Sequence, residues 1–148
     1  MLNMTSTALQ SPSEVLSRFF SEMHRWEKKH YPIVRNLIES DAPQADVERA
    51  QKVASVELID LYDRYHIKGK RNRSRAELIM LEDPPTYDEA PRIMESNDVA
   101  ADEVDYVVTE SAGLLGTYRY TLKSKNEIWS ITKREFQDPR KGWVSVAF

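Results

Sequence analysis

The chain has 148 residues, of which 41% are apolar and 30% charged, with a formal net charge of −3. That length suits one domain around one core, and that apolar content is too high for a disordered chain. No apolar run approaches the ~18–20 residues of a membrane span, the net acidity argues against nucleic acid as a partner, and the absence of cysteine excludes disulfides and thiolate metal sites.

Residues 1–10, MLNMTSTALQ, lack the basic and apolar regions of a signal peptide. They are expected to be a disordered polar leader to a single domain over residues 11–148. A cysteine-free chain fits a reducing compartment, so a cytoplasmic location is expected. Ser11-Pro12-Ser13-Glu14 then reads as a capping box with proline at the first helical position. Val15, Leu16, Phe19, Phe20, Met23 and Trp26 follow at three- and four-residue spacings, which predicts a helix over residues 12–29. Tyr31-Pro32 is expected to interrupt it, because proline donates no amide hydrogen and disfavours helix in the residue before it. A short helix is expected over 32–39, with Ile33, Leu37 and Ile38 inward. After a turn at residues 40–43 comes the longest element, a helix from 43 or 44 to 65. Its stripe is Val47, Ala50, Ala54, Leu58, Leu61 and Tyr65.

Residues 66–75 are basic and contain a glycine, and read as a solvated loop or frayed hairpin. Strands are expected at 77–81, where Asp83-Pro84-Pro85 stops the run, and at 91–96. Alternation of Val104, Tyr106 and Val108 with Asp105, Val107 and Thr109 predicts another. Tyr118, Tyr120 and Leu122 alternate in the same way with Arg119, Thr121 and Lys123. A hairpin turn at 124–127 leads to a strand at 128–134 with Trp129 and Ile131 in phase. A last strand covers 142–148 after a turn at 137–140. Strands so close in sequence pair antiparallel, which gives an α+β fold of three N-terminal helices packed on a curved antiparallel sheet.

This order of elements, from about residue 12 to the end, resembles the nuclear transport factor 2-like (cystatin-like) roll. The stretch Gly116-Thr117-Tyr118-Arg119-Tyr120-Thr121-Leu122-Lys123, continuing through Asn126-Glu127-Ile128-Trp129-Ser130-Ile131, is similar to that superfamily's late hairpin. Within it, the Phe19-Phe20 to His24-Arg25-Trp26-Glu27 opening and the acidic middle resemble immunity proteins of bacterial polymorphic toxin systems. The resemblance implies a cytoplasmic antidote that binds and blocks a cognate toxin.

Candidate chemistry is sparse. His24 and His30, six apart, fall on different helix faces, and neither has a histidine partner at i, i+4. His66, at the end of the long helix, suits a capping role against the helix dipole. Asp60 and Asp63 read as a solvated helix face. No phosphate loop, nucleophile elbow or metal-ligand spacing is present, so no catalytic residue, metal or cofactor is expected. Tyr118, Tyr120, Trp129 and Trp26 are expected in the core, with a ligand pocket in the roll as the alternative. Trp143 is left as a candidate exposed contact.

Charge is distributed unevenly. Between residues 64 and 75 there are six Lys and Arg and no carboxylate, whereas residues 77–110 hold eleven carboxylates against the single base Arg92. Solvated loops account for such runs in many proteins. The functional alternative is a surface for a basic toxin, because complementary fields speed association and reject wrong partners. The residues expected to meet that partner are Glu82, Asp83, Asp88, Glu89, Glu95, Asp98, Asp102, Glu103 and Asp105. Neither nucleic acid nor membrane is expected as a partner. Pairing of two copies through the exposed sheet face is the remaining option.

Overall fold

The computed structural model describes residues 10–77, 85–110 and 116–148. The expected leader up to residue 9 and the expected strand beyond Glu77 lie outside the described residues. The elements are α1 (Pro12–Glu39), α2 (Gln44–Arg64), a 3-10 turn (Ser74–Ala76), β1 (Arg92–Ala100), β2 (Glu103–Glu110), β3 (Gly116–Lys125), β4 (Ile128–Asp138) and β5 (Gly142–Val146). The strands form one antiparallel meander in the order β1-β2-β3-β4-β5.

The capping box forms as the sequence requires: Ser11 Oγ accepts from the Glu14 amide, and the Glu14 carboxylate accepts from the Ser11 amide. Two helices, not three, occupy the N-terminal half, because α1 runs through Pro32 without a break. Pro32 lies on the exposed side, so the carbonyl left without a donor faces water. The buried stripe continues past it from Trp26, Glu27 and His30 to Val34. Burial of that stripe outweighs the local preference of proline. The inward positions shift accordingly: Val34 is buried, while Ile33 and Ile38, expected inside, are 46% and 57% exposed.

Both helices end in the same way. The amides of Asp41 and Ala42 donate back to Ile38 and Leu37, and those of His66 and Ile67 donate to Asp63 and Tyr62. These are Schellman motifs, with Asp41 (φ 58°) and His66 (φ 57°) in the left-handed position that usually belongs to glycine. His66 thus caps α2 with its backbone.

Helix α2 packs on α1 through the Trp26 indole, which donates to the Ala54 carbonyl at 2.9 Å, and through His30 and Lys29, which both meet Glu57 at 3.0 Å. The paired helices lie on one sheet face, where Val104, Tyr106, Val108, Tyr118, Tyr120, Leu122 and Ile131 are buried against Phe19, Phe20, Leu58 and Tyr62. Phe20 meets Tyr120 edge-on at 5.3 Å, and Phe19 does the same with Tyr65, Tyr87 and Phe148. Asn126 and Glu127 both take positive φ, giving the turn that joins two right-twisted strands with least splay. An irregularity opposite Thr121 and Leu122 bends β4.

Replacing Pro32 by alanine restores one intrahelical hydrogen bond at an exposed site. Urea unfolding of Pro32→Ala should show a gain of about 1–3 kcal/mol.

Candidate partner-binding surface

Two buried ion pairs lie in the interior, one joining β4 to the end of β2 and the other joining α1 to the 3-10 turn. Both use residues that the charge pattern placed in solvated runs. Glu110, at the end of β2, is 1% exposed and Arg134, in the middle of β4, is 7% exposed. The Arg134 guanidinium donates to the Tyr120 hydroxyl at 2.9 Å, to the Ala147 carbonyl at 2.9 Å and to Glu110 at 3.3 Å. It also lies over the Tyr118 ring at 4.1 Å and the Tyr87 ring at 5.2 Å. Burial pushes the Glu110 carboxyl above its usual range, and Arg134 and Tyr120 only partly offset it. Burial likewise pushes the Tyr87 phenol up to about 12. In the second pair, Arg75 meets the fully buried Glu27 at 2.7 Å and stacks over Trp26, while the Thr86 amide donates to Glu27 at 2.7 Å. Arg75 therefore belongs to the interior and not to a solvated basic loop.

With that frame in place, the acidic residues divide into groups. Glu82 and Asp83 lie outside the described residues. Asp88 and Glu89 follow buried Tyr87, whose carbonyl meets His24 Nδ1 at 2.9 Å. Because Arg92 pairs with Thr109, this pair lies at the Glu110 end of the sheet. Glu95, Asp98, Asp102, Glu103 and Asp105 gather on the β1–β2 hairpin, towards its opposite end. Every residue of β1 is exposed, and register shifts at Ile93/Glu95 and Asp98/Ala100 interrupt its ladder with β2. Among the described residues Glu95, Asp98 and Asp102 make no ion pair. Glu103 and Asp105 are half-buried: Glu103 lies 3.9 Å from Lys123, and Asp105 accepts from the Thr121 hydroxyl at 2.8 Å. The hairpin tip is anchored by the Ser124 amide, which donates to the Asp102 carbonyl at 2.8 Å.

The remaining candidates have structural surroundings. His30 is buried against Glu57, and its hydrogen bond is the main cause that holds the Glu57 carboxyl below its usual range. Asp60 and Asp63 are exposed on α2. Tyr118 and Tyr120 are buried in the core, Trp129 packs against it, and Trp26 is 4% exposed. Trp143 is half-buried beneath the Arg119 guanidinium, 4.5 Å from its ring. Among the described residues no cluster of three or more His, Asp or Glu could hold a metal ion, and no helix is long and apolar enough to cross a membrane. Strand phase is the sequence signal that would have found Glu110, which continues the inward series Val104, Tyr106, Val108.

A family model described as "NTF2 fold immunity protein" matches residues 11–146. The protein named Immunity protein RhsIA, from Dickeya dadantii (strain 3937), is 29% identical over 129 residues, covering 87% of this chain and 89% of that one. No solved structure gives a significant match.

Removing Arg134 leaves a buried carboxylate unpaired. Arg134→Leu should lose about 3–5 kcal/mol at pH 7, and Arg134→Leu with Glu110→Leu considerably less. The folded-state pKa of Glu110 is raised, so its proton stabilises the fold below the ordinary carboxylate range, and that stability is lost as pH rises through the folded value. The deficit of the single variant should therefore shrink from pH 7 towards pH 5 in urea titrations.

Proposed function

The chain belongs to the NTF2-fold immunity protein family, and we propose that it neutralises a cognate bacterial toxin in the cytoplasm by stoichiometric binding, without catalysis. The proposed contact is the acidic β1–β2 hairpin, centred on Glu95, Asp98 and Asp102, with Glu103 and Asp105 behind them. Asp88 and Glu89 would extend the acidic field at the other end of the sheet.

The observation that carries this proposal is an edge strand of nine residues, exposed along its whole length, that bears Glu95 and Asp98 and leads into Asp102, three carboxylates with no ion pair among the described residues. Exposed edges invite indiscriminate strand pairing, and bulges and charges are the usual protection. On β1 both devices are present. What remains is a rigid acidic ridge, anchored at its tip to β3, that attracts a cationic surface and repels an acidic one. A toxin that cleaves nucleic acid presents Lys and Arg to phosphate, and this ridge would compete for that groove.

A purified cognate toxin domain, sought first in the neighbouring gene, provides the test. A variant combining Glu95→Lys, Asp98→Lys and Asp102→Lys touches only exposed positions, so its circular dichroism should match the parent. Its association rate should fall at least tenfold at low ionic strength, with a flatter salt dependence. Kinetics unchanged from the parent would remove the hairpin from the interface.

A further inference from the structure

A second charged feature, of opposite sign, lies beyond the hairpin tip. Strand β5 pairs only with residues 134–138 of β4, so among the described residues the first half of β4 has a strand, β3, on one side only. The loop leaving α2 occupies part of the other side, and the Ile131 amide donates to the Tyr65 carbonyl. Between this loop and the β3–β4 hairpin lies a trough of about 330 Å³, lined by His66 and Lys68 on the loop, Lys123 and Lys125 on β3, and Ser124 and Ser130 among its hydroxyls.

Three lysines thus face one small volume in a chain of net charge −3. Among the described residues the ammonium groups of Lys68 and Lys125 make no hydrogen bond or ion pair. Among the described residues the only carboxylate within ion-pair range of Lys123 is Glu103, at 3.9 Å. Like charges brought together repel, and an anion between them converts that repulsion into attraction. The surroundings are rigid: the two-residue turn at Asn126 and Glu127 fixes one wall, and the Schellman motif that holds His66 fixes the other.

We propose that this trough is a binding site for a terminal phosphate, carried by a phosphate monoester or a diphosphate. A dianionic group with three free oxygens can engage several ammonium groups at once and accept from the hydroxyl of Ser130, which shares the Lys123 and Lys125 face of the sheet, whereas a carboxylate offers two oxygens and one charge. The site lies beside the proposed toxin contact on the neighbouring hairpin, and the Lys123–Glu103 pair joins the two.

Titration with sodium pyrophosphate at constant ionic strength, followed by amide chemical shifts in ¹H–¹⁵N spectra of the full chain, tests this directly. Saturable shifts should concentrate at residues 66–68 and 123–132, and Lys68→Gln and Lys125→Gln should each weaken binding at least fivefold. Both substitutions are at exposed positions and should leave the spectrum otherwise unchanged. A thymidine hexanucleotide with no terminal phosphate should bind at least tenfold more weakly. Shifts spread over the whole surface, or equal affinity in the lysine variants, would overturn the site. Equal or tighter binding of the hexanucleotide would overturn the assignment to a terminal phosphate.

Discussion

Arg134 is the side chain on which most of the architecture converges. From the middle of β4 it reaches the end of β2 through Glu110, β3 through Tyr120, and the C-terminal segment through the Ala147 carbonyl. The segment leading to β1 packs on it through the Tyr87 ring. A guanidinium taken from water is costly unless every donor finds a partner. Its partners here come from elements distant in sequence, so satisfying it requires the sheet to curve and the C-terminal segment to fold inward. That inward turn places Phe148 against Phe19, and the Tyr62 hydroxyl donates to the Phe148 carbonyl. Glu27 and Arg75 repeat the arrangement between α1 and the 3-10 turn.

The periodic parts of this molecule were legible in the sequence because local pattern and burial agree there. The α1 stripe from Val15 to Trp26, the α2 stripe and the alternation in β2 and β3 all lie where spacing predicts. Pro32 was misleading because proline reports a local preference, and the continuous buried face on either side of it is a tertiary fact. Charged residues were legible only as a distribution. By charge alone Glu110 and Arg75 look like their neighbours in the runs around them, and only strand phase singles out Glu110, yet they are buried by partners 24 and 48 positions away in the chain. The exposure of Glu95, Asp98 and Asp102 follows from β1 being the edge of the sheet, which no local pattern specifies.

Buried charges hold the frame, and exposed charges are left to the connections and the edge strand. The immunity protein family supplies the role of toxin neutralisation, and the electrostatics of the hairpin suggest where a toxin docks. Apolar side chains are exposed on the outer face of α2, where Val53, Val56 and Ile59 are 49%, 54% and 41% exposed, and on β1 itself, where Met94 and Val99 are 63% and 56% exposed. Scattered apolar side chains of this kind are common on protein surfaces, whereas unpaired carboxylates along a rigid edge impose a direction and a charge on the partner.

Amide hydrogen exchange on the complex with a cognate toxin tests that account most directly, because it reads the whole surface without altering it. Toxin binding should slow exchange across residues 92–105 and leave the exposed turns of α2 as they are in the free protein. Protection confined to residues 53–60 of α2, with the hairpin unchanged, would contradict it.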